Sequence, residues 1–267
     1  MNSRRGNFGG FTPASRRLVT LPDGRSAFAK GATTDLTEAW LRAEHHVYTH
    51  LRGSFMPLLL GWDDSGERPV MLLEDLTGAR WPPPWEAGDE ALVLAALEEI
   101  HAATPPPGLP GWEAEFRSGW PAIVRDRGPF LSLGLVTEDW LEANLLAFQA
   151  ASERARLAGE SLVHFDIRSD NLCFRDGRAV IVDWNWASLG DPAFDAQFWL
   201  PSLVLEGGSP PIELAPEYAA WMVGFFGARA GLPGFPDAPG VRPIQLAQLK
   251  VVLPWACRLL DIPLPDG

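Results

Sequence analysis

The sequence predicts an α+β fold in two lobes: a small β-rich N-terminal lobe and a larger helical C-terminal lobe with one embedded β-hairpin. Three observations predict it. Short apolar segments separated by turn signals fill the first 76 residues, with one helical segment among them. From Thr77 onward the segments lengthen and their apolar residues recur at three and four. Inside that helical half, "NLCF" and "AVIVDW" flank "RDGR", and Asp176-Gly177 is a dipeptide that a tight type I′ turn favours. The 267 residues, 46% hydrophobic, suffice to bury a large core.

Each element follows from local chemistry. "RRLVTL" and "RSAFAK" flank "PDG" and form a hairpin whose second strand ends at Lys30. "TTDLTEAWLRAEHHVYTHLRG" reads as a helix, capped by Thr34 or Asp35 and ended by Gly53. "FMPLLLGW" and "RPVMLLED" flank "DDSGE" and form a second hairpin, so the order is β, β, α, β, β. Residues 1–76 then form the first lobe and 77–267 the second, with a hinge from Glu74 to Gly78. "TGARWPPPWEAG" is a rigid connector. "DEALVLAALEEIHAAT" is a helix stopped by Pro105, Pro106 and Pro107. "TEDWLEANLLAFQAASERARLAG" is another, with acids in its first turn and Gly159 past its end. "DPAFDAQFWL", "APEYAAWMVGFFGARAG" and "RPIQLAQLKVVLPWACRLL" read as helices, the last kinked or broken at Pro254.

The bulk numbers exclude several classes. A formal charge of −12 argues against nucleic acid as the main partner, because such binders need a basic face. It is compatible with a cationic small molecule. Cys173 and Cys257 are far apart and form neither a metal spacing nor a disulfide framework, so a reducing compartment is the default. "MNSRRGNFGGF" has arginines with no apolar stretch behind them, and the longest apolar run, "ALVLAAL", is too short to span a bilayer. The expectation is a soluble, cytoplasmic chain with no membrane partner.

The chemistry gathers in "LVHFDIRSDNLCF" and the strand that follows. With a two-residue loop, Arg175 faces Arg178 and Asn171 faces Val182, so the open end of the hairpin collects Asp170, Asn171 and Asp183. A carboxylate and an amide oxygen suit a hard cation such as Mg²⁺, which takes one or two protein ligands and completes its shell with phosphate and water; an inert, solvated hairpin mouth is the alternative. Asp166 lies five residues before Asn171 and two after His164, which is the catalytic-loop spacing of kinases. There the Asp orients an attacking hydroxyl and the Asn holds a metal. His164 is expected to pack the loop. Arg168 offers a cation for γ-phosphate charge or a partner for Asp170. His46 and His50, four apart on one helix, offer two metal ligands without a third. Trp184 and Trp186 are candidates for the cleft wall or for packing.

"HFDIRSDN" followed by "VIVDW" resembles the aminoglycoside phosphotransferase family, relatives of choline, homoserine and fructosamine kinases within the protein-kinase-like bilobal fold. "GDPAFD" is similar to the segment that family carries after its metal-binding Asp. The resemblance implies ATP and Mg²⁺ as cofactors, Asn171 and Asp183 as metal ligands, and Lys30 as the phosphate-binding lysine with Glu44 as its ion-pair partner. It implies that the Glu74 carbonyl and the Leu76 amide bind the adenine edge. "GGFTP" resembles a loose nucleotide loop rather than Gly-x-Gly-x-x-Gly. The expected activity is transfer of the γ-phosphate to a hydroxyl of a small molecule, an aminoglycoside or another cationic acceptor; the alternative is a pseudokinase that binds nucleotide without turnover. A protein kinase fits less well, since Asp183-Trp184-Asn185 replaces Asp-Phe-Gly and "GDPAFD" follows almost at once.

Overall fold

A computed structural model describes residues 13–111, 118–236 and 238–265. Most of "GGFTP" therefore lies outside the described residues. β1 (Ser15–Thr20) and β2 (Ser26–Gly31) pair antiparallel, with Lys30 opposite Arg16. β3 (Leu59–Asp63) and β4 (Val70–Glu74) add to β2 through β4, giving a four-stranded antiparallel sheet in the order β1-β2-β4-β3. The first four strands and their intervening helix thus appear in the predicted order.

α1 (Asp35–His50) joins β2 to β3. Thr34 is its cap: the Thr34 hydroxyl accepts from Thr37 N, and the Thr37 hydroxyl accepts from Thr34 N in return. This reciprocal box satisfies backbone donors that a helix start leaves open. The helix ends at Leu51, whose backbone is extended, so Gly53 does not end it. Gly53 serves sterics instead, because a side chain there would run into the Phe55 ring. Thr37, Leu41, Glu44 and Tyr48 recur at helical spacing on the buried face. A carboxylate on that face demands a charged partner.

The C-terminal part begins with α2 (Asp89–Ala102) and the short helices α3 (Trp120–Arg125) and α4 (Gly128–Leu131). α5 (Glu138–Ser152) stops well short of Gly159. Tertiary pairing overrides its helical pattern. β5 (Ser161–Val163) pairs antiparallel with β8 (Ser188–Gly190), and Leu157 O accepts from Asp191 N at 2.9 Å, so the intervening chain must be extended. Gly159 is needed there because a Cβ would strike the Gly190 carbonyl. This second two-stranded sheet is absent from the sequence reading, which expects only the embedded hairpin in the helical half.

The expected hairpin is β6 (Leu172–Arg175) and β7 (Arg178–Ile181), in the predicted register: Arg175 faces Arg178, and Val182 N donates to Asn171 O at 2.8 Å. Asp176 (φ 51°) and Gly177 (φ 72°) adopt the left-handed conformations that a type I′ turn requires. α6 (Pro192–Leu205), α7 (Pro216–Ala230) and α8 (Val241–Leu259) complete the fold. α8 is not broken at Pro254. Its buried Leu249, Val252, Leu253 and Ala256 form one face, and burying four apolar side chains outweighs the ~3 kcal/mol cost of an interior proline. One core runs from α1 and β4 through β6 and β7 into α6, α7 and α8. Among the described residues, no helix is long and apolar enough to cross a membrane. Cys173 and Cys257 are buried and free.

Candidate active site

The catalytic-loop segment leaves β5 and enters β6 through a 3-10 turn at Ser169–Asn171. Its ends are fixed by Leu162, Val163, Leu172 and Cys173, all buried. At its start Phe165 has φ 71°, a conformation that costs a bulky residue about 1–2 kcal/mol. Two forces hold it. The Phe165 ring stacks on Phe194 and Phe198, each 5.0 Å away. The backbone amides of His164 and Phe165 donate to the two oxygens of Asp195, at 2.7 and 2.6 Å. Asp195 sits in the first turn of α6, is 1% exposed, and also contacts His101 Nε2 at 3.1 Å. Sequence reasoning gives Asp195 no role; "GDPAFD" marks the segment, but only the fold brings it beneath the loop.

Past Phe165 the side chains interlock. The Asn171 amide donates to Asp166 O at 2.9 Å and to Asp166 Oδ2 at 3.0 Å. Because the amide nitrogen is committed to Asp166, the amide oxygen remains as the acceptor of this group. Arg168 contacts Asp166 Oδ2 at 3.3 Å and Asp170 Oδ1 at 3.1 Å. It therefore pairs with both carboxylates. His164 is fully buried, its Nε2 contacts Val182 O at 3.0 Å, and its ring meets Trp184 edge-on. Burial pushes the His164 pKa below the usual imidazole value, against the pull of Asp195 and Asp166.

A third cluster faces the loop from the sheet. Lys30 Nζ donates to Glu44 Oε2 at 2.6 Å and to Asp183 Oδ1 at 2.8 Å. Glu44 is thereby paired, as its buried position requires. Burial pulls the Lys30 ammonium down, but Asp183 and Glu44 outweigh it and hold its pKa above the ordinary lysine value. Burial pushes Asp183 up, yet Lys30 beside it keeps its carboxyl below the usual range. Asp183 has φ 65° and caps a 3-10 turn over Trp184–Trp186, which turns its carboxylate toward Lys30 rather than along the strand. One ammonium is shared by two carboxylates, and Arg16 brings a second positive charge near both. A divalent cation bound by Asp183 and the Asn171 oxygen suits that donor set.

These groups share a cavity of about 470 Å³. Lys30, Glu44, Glu74, Leu76, Asn171 and Asp183 all line it, together with the apolar Phe28, Leu73, Trp81 and Val182. Arg16 and Phe28 reach it from β1 and β2, residues that sequence reasoning does not single out. Asp166 and Arg168 are outside that lining and are joined to it through Asn171 and Asp170. At the hinge, Arg175 ties Glu74 to the β6–β7 hairpin at 2.8 Å. Trp184 is fully buried between Phe55 and His164 and takes no part in the cavity wall, while Trp186 packs near Trp40. His46 contacts Pro107 O and His50 contacts His46 O, and among the described residues no three metal-ligating side chains converge.

The overall fold also recurs in solved structures. A choline/ethanolamine kinase family protein from Mesorhizobium loti superposes with a TM-score of 0.57 at 17% identity, covering 98% of this chain and 92% of that one. A type I macrolide 2′-phosphotransferase gives 0.48 at 16% identity over 99% and 91%, and an amicoumacin kinase gives 0.46 at 13% over 94% and 79%. No curated protein matches the sequence. The first of these likenesses shows the kinase-like fold. The sequence itself matches the model of the APH phosphotransferase enzyme family over residues 9–221, a span that includes Lys30, Asp166 and Asp183. Members of that family use ATP with a divalent metal. The chain belongs to the APH phosphotransferase enzyme family and is a phosphotransferase of small molecules, that is, a kinase.

Proposed function

We propose that this kinase transfers the γ-phosphate of ATP to a hydroxyl of a small, cationic acceptor, with Mg²⁺ as the metal. One observation carries the reading: Lys30 holds Glu44 and Asp183 at a cavity that Asn171 also lines, and Asn171 in turn holds Asp166. Residues 1–76 form the nucleotide-binding lobe, and 77–267 supply the catalytic loop and the acceptor site. The Glu74 carbonyl and Leu76 amide meet the adenine edge. Lys30 binds the α- and β-phosphates, oriented by Glu44. Asn171 and Asp183 hold the metal, which supplies neutralisation of phosphate charge.

The Asp166 carboxylate, held at Oδ2 by Asn171 and Arg168, receives the acceptor hydroxyl. The hydroxyl oxygen bonds to the γ-phosphorus, the bond from that phosphorus to the β–γ bridging oxygen breaks, and ADP leaves with the bond's electron pair. Asp166 takes the hydroxyl proton and returns it to solvent. Arg168, fixed by Asp166 and Asp170, offsets charge on the transferred group. A formal charge of −12 supports a cationic acceptor. A cytoplasmic location, where ATP is supplied, fits the same reading.

The test is a screen of the purified protein with ATP and Mg²⁺ against aminoglycosides and amino-alcohols, read as ADP release. An acceptor should raise ADP release, and Asp166→Asn should lower the stimulated rate by about 10²–10⁴-fold. Stimulated turnover that survives in Asp166→Asn overturns the mechanism. Nucleotide binding with no turnover for any acceptor overturns the activity and leaves a binding module.

A further inference from the structure

We infer that Glu206 is a positioning residue, a single carboxylate that locks the catalytic loop to the connector wall of the nucleotide cavity. The inference rests on the proposed function for its rate consequences, but its geometry stands alone. Glu206 closes α6. Its Oε1 accepts from the Ser169 hydroxyl at 2.6 Å, and its Oε2 accepts from Trp85 Nε1 at 3.2 Å. Ser169 lies between Arg168 and Asp170, two residues before the Asn171 that holds Asp166. Trp85 lies in the proline-rich connector, where its ring packs edge-on to Phe174 and tilted on Trp199. Four residues earlier in that connector, Trp81 and Pro82 line the same cavity as Ser169. One side chain thus fastens both walls.

The electrostatics argue that this placement is not there for helix stability. A helix C-terminus carries partial negative charge and favours cations, yet α6 ends in a carboxylate. Asp170 adds like charge. Burial pushes the Glu206 pKa above the usual range and Asp170 adds to the rise, while the Ser169 and Trp85 bonds and Arg168 oppose it. A side chain that breaks a local rule while making two bonds to one site is the pattern of a functional position. Hydrogen bonds to a charged acceptor are also the strong ones, which suits a strut under load.

Glu206→Gln keeps the shape but has one accepting oxygen in place of two. In the full chain without nucleotide, amide hydrogen exchange over residues 164–172 should speed up at least about tenfold, with α2 and α7 unchanged, as expected when a charge-assisted bond is lost from a local opening unit. With ATP and Mg²⁺ and water as acceptor, ADP release should fall about 10- to 100-fold while the KM for ATP moves less than about threefold. Ser169→Ala should reproduce the effect, Ser169→Thr should restore it by keeping the hydroxyl, and the Glu206→Gln/Ser169→Ala double variant should be no worse than the more severe single. Unchanged exchange in Glu206→Gln, or single effects that multiply in the double variant, overturns the inference. If the wild-type chain releases no ADP with water or with any acceptor of the screen, the proposed function falls and the exchange measurement still decides the role of Glu206. If Glu206→Gln does not fold, Ser169→Ala and Trp85→Phe, which each remove one donor, carry the same exchange test.

Discussion

Asp195→Asn should damage the enzyme from beneath the loop, without touching any atom proposed to meet substrate. Asp195 is 1% exposed and accepts two backbone N–H groups, from His164 at 2.7 Å and Phe165 at 2.6 Å, on different oxygens. An asparagine has one accepting oxygen, so one amide donor must face the NH₂ group. A hydrogen bond to a charged acceptor contributes about 1.5–3 kcal/mol, and a buried donor left unsatisfied costs about 1–3 kcal/mol. The sum is about 2.5–6 kcal/mol, a large share of the roughly 5–15 kcal/mol that stabilises a domain. The loop has a cheaper escape than global unfolding. Phe165 at φ 71° is held by these same bonds, and releasing it relieves strain. That relaxation moves Asp166, the next residue, and about an ångström of displacement costs on the order of a hundredfold in rate. Urea unfolding followed by far-UV circular dichroism gives the first number, and acceptor-stimulated ADP release gives the second. The reasoning is refuted if Asp195→Asn stays within about 1 kcal/mol of the parent in stability and within about threefold in rate.

Lys30→Met leaves the buried Glu44 and the part-buried Asp183 without their ammonium, so it should cost about 3–5 kcal/mol and abolish the thermal shift given by ATP with Mg²⁺; a parental shift would refute the assignment. His164 has a depressed pKa in the folded state, so its contribution to stability is fully present above about pH 6.5 and is lost as pH falls through the lowered folded value. Denaturant midpoints taken from pH 7.5 to 5 should therefore decline toward acid, and His164→Gln should flatten that decline; identical slopes would falsify the buried neutral imidazole. Gly159→Ala drives a Cβ into the Gly190 carbonyl, a backbone atom that cannot swing away, and should lower stability by about 1–3 kcal/mol by thermal or urea unfolding. Gly134→Ala, by contrast, meets open space and pays only for its φ of 66°, so it should cost about 1–2 kcal/mol at most; an equal or larger loss than at Gly159 would overturn the steric ranking.

What was legible in the sequence is what short-range chemistry dictates. The β6–β7 register followed from Asp176-Gly177 and the strand period, and the Thr34 cap followed from its position before an apolar-periodic run. Errors arose where distant chain decides. α5 has helical composition up to Gly159, but β8, almost thirty residues further on, recruits its continuation as strand β5. Three-residue strands leave too little alternation to read. Pro254 carries a strong local signal for a break, and packing of the α8 face overrides it. The candidate site shows the same division. Asp166 and Asn171 stand out through spacing, Asp183 through the hairpin register, and Lys30 through the family resemblance. Asp195, Glu206, Arg16 and Phe28 do not, since tertiary contacts that no spacing encodes bring them to the site.

Lys30 sets the order of events that nucleotide binding would follow. It has two carboxylate partners here, and an ammonium has three protons to donate, so a phosphate oxygen can join or replace one of them. The two partners are unequal. The Glu44 side chain is 1% exposed on the buried face of α1, while the Asp183 side chain is 25% exposed and lines the cavity. Moving Glu44 would strand a carboxylate in the core, at a cost of several kcal/mol. Moving Asp183 costs far less, because a metal brought by the nucleotide replaces the charge it gives up. Asp183 is therefore the partner that would turn, from Lys30 toward metal, and Glu44 the one that keeps Lys30 aimed at the phosphates. On the proposed function, the Lys30–Asp183 bond is a placeholder that holds two groups until phosphate and metal would engage them together.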